Sequence, residues 1–137
     1  MTPEEKDLLL KDLCGRLPYK VKIQVNNTIE TLESVRVPDS AVEYRLFYAS
    51  NIENVKPYLY PLSSMTEEQK YTCPIGVGEL ENFIKKDNWG VLTISPNEII
   101  PFVSWLNKNH FDYRGLIEKG FAIDSTNLNI YNTKRTN

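Results

Sequence analysis

The sequence predicts an α+β fold with an N-terminal helix, a small antiparallel sheet and a C-terminal helical section. Helical spacing of apolar residues opens the chain, strand-like alternation follows it, and helical spacing returns in the last third. The length of 137 residues, with 41% hydrophobic and 25% charged residues, is typical of one globular domain. We therefore expect a single domain over 1–137, with a frayed polar tail at 132–137.

The first helix is predicted over 3–14. Thr2 offers a capping hydroxyl, Pro3 suits the first helical position, and Glu5 is placed to reach back to the cap. Leucines at helical spacing supply an inward stripe, and Gly15 supplies a stop signal. We interpret this helix as structural.

Three strands are predicted after this helix. Apolar residues alternate with polar ones over 19–25, which indicates a half-buried strand, and an asparagine pair then favours a tight turn. A second strand over 29–37 alternates imperfectly, which favours a bulge. A third strand over 42–48 carries Tyr44 and Tyr48 on one face. Together the strands predict a three-stranded meander or an SH3-like half barrel.

The middle of the chain is predicted to be less regular. Pro57 and Pro61 argue against a central strand over 51–62, because proline cannot donate to a ladder. We expect an edge strand there, or a turn that closes a small barrel. Further elements are predicted as a short helix after Thr66, a helix over 79–86 and a strand over 89–94.

The C-terminal third is predicted to pack around an aromatic-rich helix that follows Ser95. Pro101 falls within its apolar pattern, so the helix is either kinked there or begins there. Trp105 lies just beside the main apolar stripe, and we expect it to be a partner surface if exposed and core if buried. Asp112 is predicted to cap a last short helix, and an extended segment to follow over 121–131.

Composition excludes several classes of function. The 16 basic and 18 acidic residues give a net charge of -2, which supplies no general attraction for nucleic acid or an anionic membrane. No apolar run approaches the roughly 20 residues of a membrane span, and the charged start lacks the pattern of an export signal. Cys14 and Cys73 form no CxxC pair, and the chain has one histidine. We therefore expect a cytoplasmic protein with no metal, no cofactor and no disulfide.

The segment around the single histidine holds the strongest catalytic candidates. His110, together with Asp112 or Arg114, would suit a small hydrolase or transferase in which the histidine is a general base. That hypothesis requires His110 to face a second polar group in a cleft. The structural alternative, which we favour, places His110 at the end of a helix and Asp112 at a helix cap.

Four tyrosines fall on or after the predicted sheet. If these tyrosines are exposed, they would stack bases or dock a proline-rich peptide. If they are buried, they form part of the hydrophobic core, and this is the interpretation we favour. The hypothesis of single-stranded nucleic-acid binding adds three lysines to these tyrosines, although the net charge of -2 disfavours nucleic acid as a partner. The tyrosines are Tyr44, Tyr48, Tyr58 and Tyr60, and the lysines are Lys20, Lys22 and Lys56.

Three stretches of the sequence carry a resemblance to a known group of proteins. They are EKDLLLKDLC with RLPY (5–19), VKPYL leading into PLSSMTEE (55–68), and HFDYRGLIEKG (110–120). These stretches resemble small proteins encoded by phages and prophages of gut bacteria, a group without an assigned activity. The resemblance implies an accessory protein of a mobile element in the bacterial cytoplasm, and it supplies no catalytic residue and no cofactor.

These observations lead us to expect a non-enzymatic interaction module rather than an enzyme. Its partner is expected to be a host or phage protein, since accessory proteins of mobile elements often act in that way. The hypothesis predicts an exposed apolar or tyrosine-rich patch with a polar rim. The candidate contact residues are Tyr44, Tyr48, Tyr58, Tyr60, Trp105, His110, Asp112 and Arg114. The sequence specifies neither that partner nor the oligomeric state.

Overall fold

The computed structural model describes residues 1–37, 40–45, 48–86 and 95–131. Within these ranges the helices are α1 (Pro3–Arg16), α2 (Glu67–Tyr71), α3 (Val77–Lys86) and α4 (Pro96–Lys108). The first strands are β1 (Lys22–Val25), β2 (Thr28–Thr31), β3 (Ser34–Arg36) and β4 (Ala41–Tyr44). The later strands are β5 (Tyr48–Asn51), β6 (Val55–Pro61), β7 (Phe111–Asp112) and β8 (Ile123–Asp124). Short 3-10 turns occupy Leu17–Tyr19, Ile52–Asn54 and Leu62–Ser64.

The strands form two sheets, and the predicted α+β fold is confirmed. A mixed sheet has the order β2-β1-β6-β7, and β8 also pairs with β6. A second sheet, β3-β4-β5, is a three-stranded antiparallel meander. Their apolar side chains and those of the helices meet in one continuous core. No helix of the described ranges is long and apolar enough to cross a membrane.

Helix α1 starts as predicted. The Glu5 amide donates to the Thr2 hydroxyl at 3.1 Å, and the Thr2 amide donates to the Glu5 carboxylate at 2.8 Å. The helix extends to Arg16, beyond the predicted end, and buries Leu9 and Leu13 completely. Because both capping bonds join residues only three positions apart, this boundary was predictable from the sequence.

The predicted second and third strands are each divided in the structure. The Leu32 amide donates to the Val21 carbonyl, whereas the next amide, that of Glu33, donates to the Glu43 carbonyl. The chain therefore leaves the mixed sheet and enters the meander at this point, where a bulge was expected. The third predicted strand is interrupted at Arg45, whose φ of 47° begins the turn between β4 and β5.

The expectation for the proline-rich segment was wrong, because β6 lies in the interior of the mixed sheet. The pairing alternates so that Gln24, opposite Lys56, directs its backbone groups toward β6, while Ile23, opposite Pro57, directs its own toward β2. The missing N–H of Pro57 therefore lies on the side away from β1. The parallel pairing on that side starts one residue later, at Tyr58. Pro57 thus falls where the ladder needs no donor.

The C-terminal third differs from prediction in two places. Helix α4 begins at Pro96 and continues through Pro101, whose ring is exposed, so the helix does not begin at Pro101. The predicted helix after Asp112 is instead a series of turns leading toward β8. The predicted strand over 89–94 and the tail at 132–137 lie outside the described residues, as does Leu46 of the predicted third strand.

Candidate functional site

A buried ion cluster joins α1 to the segment that follows α4. The Asp12 carboxylate accepts hydrogen bonds from Arg16 Nε at 2.8 Å, Arg16 Nη2 at 3.1 Å and Arg114 Nε at 3.2 Å. The side chains of Asp12 and Arg16 are completely buried, and that of Arg114 is 27% exposed. Arg16 Nη2 also donates to the Phe111 carbonyl at 2.6 Å. The cluster therefore fixes the course of the chain from Phe111 to Arg114.

The guanidinium of Arg16 stays charged in this environment. Burial lowers the pKa of Arg16, but the charge and hydrogen bonds of Asp12, together with Tyr113 and Asp112, outweigh burial and raise the pKa above its ordinary value. Arg16 therefore acts as a permanent cation inside the fold.

The structure places His110 in the core rather than in a cleft. Its ring stacks on Tyr131 with 3.9 Å between centroids, and its carbonyl accepts from the Tyr60 amide at 2.8 Å. Burial and the nearby Arg16 charge lower the pKa of His110 to about 3, so the ring is neutral near pH 7. His110 thus lacks the open, polar surroundings that the hydrolase or transferase hypothesis requires.

Asp112 is a cap for the turn that follows it. Its two carboxylate oxygens accept from the amides of Leu116 and Ile117, both at 2.9 Å. Arg114, the third residue of the catalytic hypothesis, donates to Asp12 rather than to His110 or Asp112. The three residues are close in sequence, but in the structure each contacts a different partner.

Trp105 belongs to the core. Only 9% of its surface is exposed, and its Nε1 donates to the Thr72 hydroxyl at 3.0 Å. Its ring lies between those of Phe102 and Phe111, at centroid distances of 6.3 and 5.7 Å. The indole joins α4 to the end of α2 and offers little surface to a partner.

Two of the four candidate tyrosines lie inside the mixed sheet. Tyr58 and Tyr60 are both buried on β6. The Tyr131 hydroxyl donates to the Tyr58 carbonyl at 2.7 Å, and the rings of Tyr60 and Tyr131 lie 5.9 Å apart. Neither ring can stack a base. Lys22, one of the lysines considered with them, donates to the Thr31 hydroxyl.

The other two candidate tyrosines meet across the β4–β5 hairpin. Tyr44 is opposite Tyr48 in the ladder, and their ring centroids are 6.1 Å apart. Tyr44 is buried and its hydroxyl is 3.1 Å from the Ser50 hydroxyl, whereas Tyr48 is 56% exposed. Tyr48 is therefore the candidate tyrosine that reaches the surface. The guanidinium of Arg45 lies over its ring, 5.5 Å from the centroid.

Arg45 is itself held by a carboxylate from the other sheet. Its Nε and Nη2 donate to the two oxygens of Glu30 at 2.9 and 2.5 Å. These bonds lower the pKa of the Glu30 carboxyl, which keeps it ionised to lower pH. The Glu30 side chain is 6% exposed and the Arg45 side chain 52% exposed. We call Tyr48 and Arg45, supported by Glu30, the tyrosine–arginine surface.

The tyrosine–arginine surface consists of two residue types that are frequent in protein contacts. Tyrosine and arginine are enriched among residues that dominate binding energy, and their side chains combine apolar area with hydrogen-bonding groups. The two-point bond to Glu30 and the contact with the Tyr48 ring restrict the conformations of the Arg45 side chain.

The described clefts are less suited to chemistry. A shallow cleft of about 280 Å³ lies between the end of β6 and the turns after β7, where Asp112 is already bonded to two amides. A neighbouring open depression is bordered by Tyr113, Arg114 and Lys119. In the ranges that the structure describes, no group of three or more His, Cys, Asp or Glu residues could hold a metal ion.

Sequence reasoning missed Arg45, Glu30, Asp12 and Arg16. Asp12 and Arg16 are four residues apart, a spacing that favours an ion pair on a helix, but Arg16 lies beyond the predicted end of the first helix. Arg45 and Glu30 are 15 residues apart, and no local pattern joins them. Comparison with known proteins found no matching family model, no matching curated protein and no matching solved structure.

Proposed function

We propose that this protein is a non-enzymatic interaction module that binds another protein through the tyrosine–arginine surface. The observation that carries the proposal is the exposed ring of Tyr48, over which the Arg45 guanidinium lies. The other three candidate tyrosines are buried. An exposed aromatic ring in a fixed position contributes apolar contact area at small conformational cost.

The alternatives receive less support from the same geometry. Catalysis by His110 would need an accessible base, but the residue is 7% exposed and its ring is stacked on Tyr131. Base stacking on the sheet would need several exposed aromatic rings, and Tyr58 and Tyr60 are buried.

The resemblance to phage and prophage proteins directs the choice of partner. We propose a host or phage protein in the bacterial cytoplasm. This part of the proposal rests on the resembling sequence stretches and is independent of the geometry at Tyr48.

Affinity capture of the tagged full chain from its host during phage induction tests the proposal. Quantitative mass spectrometry would compare the unaltered chain with Tyr48→Ala and with Tyr71→Ala. Tyr71 is the matched control, because it is an equally large residue that is 77% exposed at the end of α2. Circular dichroism would establish that both variants are folded.

The expected result is a captured protein that Tyr48→Ala loses and Tyr71→Ala retains. Removing an aromatic residue that dominates a contact costs about 2 kcal/mol, which corresponds to about thirtyfold weaker binding. Capture of the same proteins in the same amounts by Tyr48→Ala would refute the tyrosine–arginine surface as the contact.

A further inference from the structure

Strand β5, next to the tyrosine–arginine surface, pairs on one side only within the described ranges, and we call its other side the open edge. One side of β5 pairs with β4, and no strand of the described ranges pairs with the other side. An unpaired edge presents backbone N–H and C=O groups that can take an additional strand.

The register identifies which groups face outward. The Ile52 amide donates to the Ser40 carbonyl at 2.9 Å, which sets the alternation of the antiparallel ladder. Hydrogen-bonded positions recur at every second residue, so Ser50, two residues before Ile52, also directs its N–H and C=O groups toward β4. Ala49 and Asn51 therefore direct theirs toward the open edge.

The edges of the two sheets differ in how they are protected. Natural edges are blocked by charges, proline, bulges or covering elements. Edge strand β2 carries the inward-pointing charge of Glu30, and β3 carries Arg36 and lies against α1. Strand β5 has the sequence Tyr-Ala-Ser-Asn, which contains neither a charge nor a proline. Every residue of β5 is exposed except Ser50, which is half-buried.

We propose that the partner adds an extended segment to the open edge of β5. This inference rests on the proposed function, because it assigns the binding mode of the same surface. The segment would exchange backbone hydrogen bonds with Ala49 and Asn51, as in other cases of strand addition. The four side chains of β5 offer no charge to pair, so the part of the segment that lies opposite them would be uncharged. The segment would also place an aliphatic or aromatic side chain against the Tyr48 ring, beside the Arg45 guanidinium.

The probe for this test is a displayed library of short, random, linear peptides selected on the full chain. Hydrogen exchange measured by NMR then follows the amides of β5. In the free chain we expect the amides of Ala49 and Asn51 to exchange quickly and that of Ser50 slowly. Selected peptides are expected to slow exchange at Ala49 and Asn51 and to leave Ser50 unchanged.

Two variants at one position supply the control. Ala49→Pro removes an outward-facing donor, so peptide binding should weaken about tenfold or more. Ala49→Ser keeps that amide and should bind as the unaltered chain does. If Ala49→Pro fails to fold, the exchange pattern of the unaltered chain decides the question.

Other outcomes would overturn strand addition. These are a selection that yields no binding peptide, bound peptides that leave Ala49 and Asn51 unprotected, or protection that rises with protein concentration alone because a second copy occupies the edge. Peptides that need Tyr48 yet protect neither amide would overturn the binding mode while leaving the proposed function intact. Loss of the proposed function would show instead as partner capture that is insensitive to Tyr48→Ala.

Discussion

Replacing Asp12 by asparagine is expected to destabilise the fold by about 3–5 kcal/mol, the usual cost of removing one member of a buried ion pair. The carboxylate accepts three hydrogen bonds from Arg16 and Arg114, and an amide keeps one acceptor oxygen and no charge. Arg16 would then remain fully buried, with the Phe111 carbonyl at 2.6 Å as its main acceptor. Against a typical total stability of about 5–15 kcal/mol, this loss is large.

Asp7→Asn is the matched control, because it makes the same change on the same helix. Asp7 pairs with Lys11 at 3.0 Å, but both side chains are more than half exposed, so the expected cost is below about 0.5 kcal/mol. Urea unfolding followed by circular dichroism and tryptophan fluorescence measures both variants. Adding Arg16→Met to Asp12→Asn should restore part of the stability, since no fully buried cation remains. A difference below about 1 kcal/mol between the two Asp→Asn variants would refute the reasoning.

Two further predictions concern His110 and the glycines. Between pH 6.5 and about 3, the unfolded chain binds a proton at His110 that the folded chain does not, so stability falls as pH falls, by up to about 1.4 kcal/mol per pH unit. Urea titrations should show this slope reduced in His110→Asn, and an unchanged slope would contradict the assignment. Gly115→Ala should cost about 1–2 kcal/mol, because φ is +73° there although the space is open. Gly78→Ala, in α3 with equally open space, should stabilise by up to about 1 kcal/mol, and equal thermal shifts for both glycines would count against backbone strain.

The helix starts could be predicted because their determinants are local. Thr2 and Glu5 form one capping box, and Ser95 and Glu98 form another at the start of α4. In both, the bonded groups are three residues apart, so a short pattern contains all the information needed.

The sheet was predicted less well because its determinants are distant in sequence. The chain passes from β2 to β3 where the Leu32 amide donates to the Val21 carbonyl and the next amide donates to the Glu43 carbonyl. No residue near Leu32 indicates this change of hydrogen-bond partner. The interior position of β6 depends on the side to which the missing N–H of Pro57 points. That side is set by the register of β1, which the composition of β6 does not specify.

The candidate site was predictable in residue type but not in exposure. Tyr44 and Tyr48 are opposite each other and lie on the same face of the meander, so alternation assigns them the same environment. They differ because Tyr44 lies on the central strand and Tyr48 on an edge strand, which is a property of sheet order. Arg45 could not be recognised from the sequence as part of the candidate site, because its partner Glu30 lies in another sheet.

The Glu30 carboxylate also bears on the proposed binding mode at β5. Glu30 on β2 fixes Arg45, which directly follows β4, against the mixed sheet. The four side chains of β5 itself carry no charge. A restrained edge loses little conformational entropy when a strand is added, and uncharged side chains have no ion to desolvate. In the proposed binding mode, the binding free energy would therefore come from backbone hydrogen bonds and the Tyr48 ring.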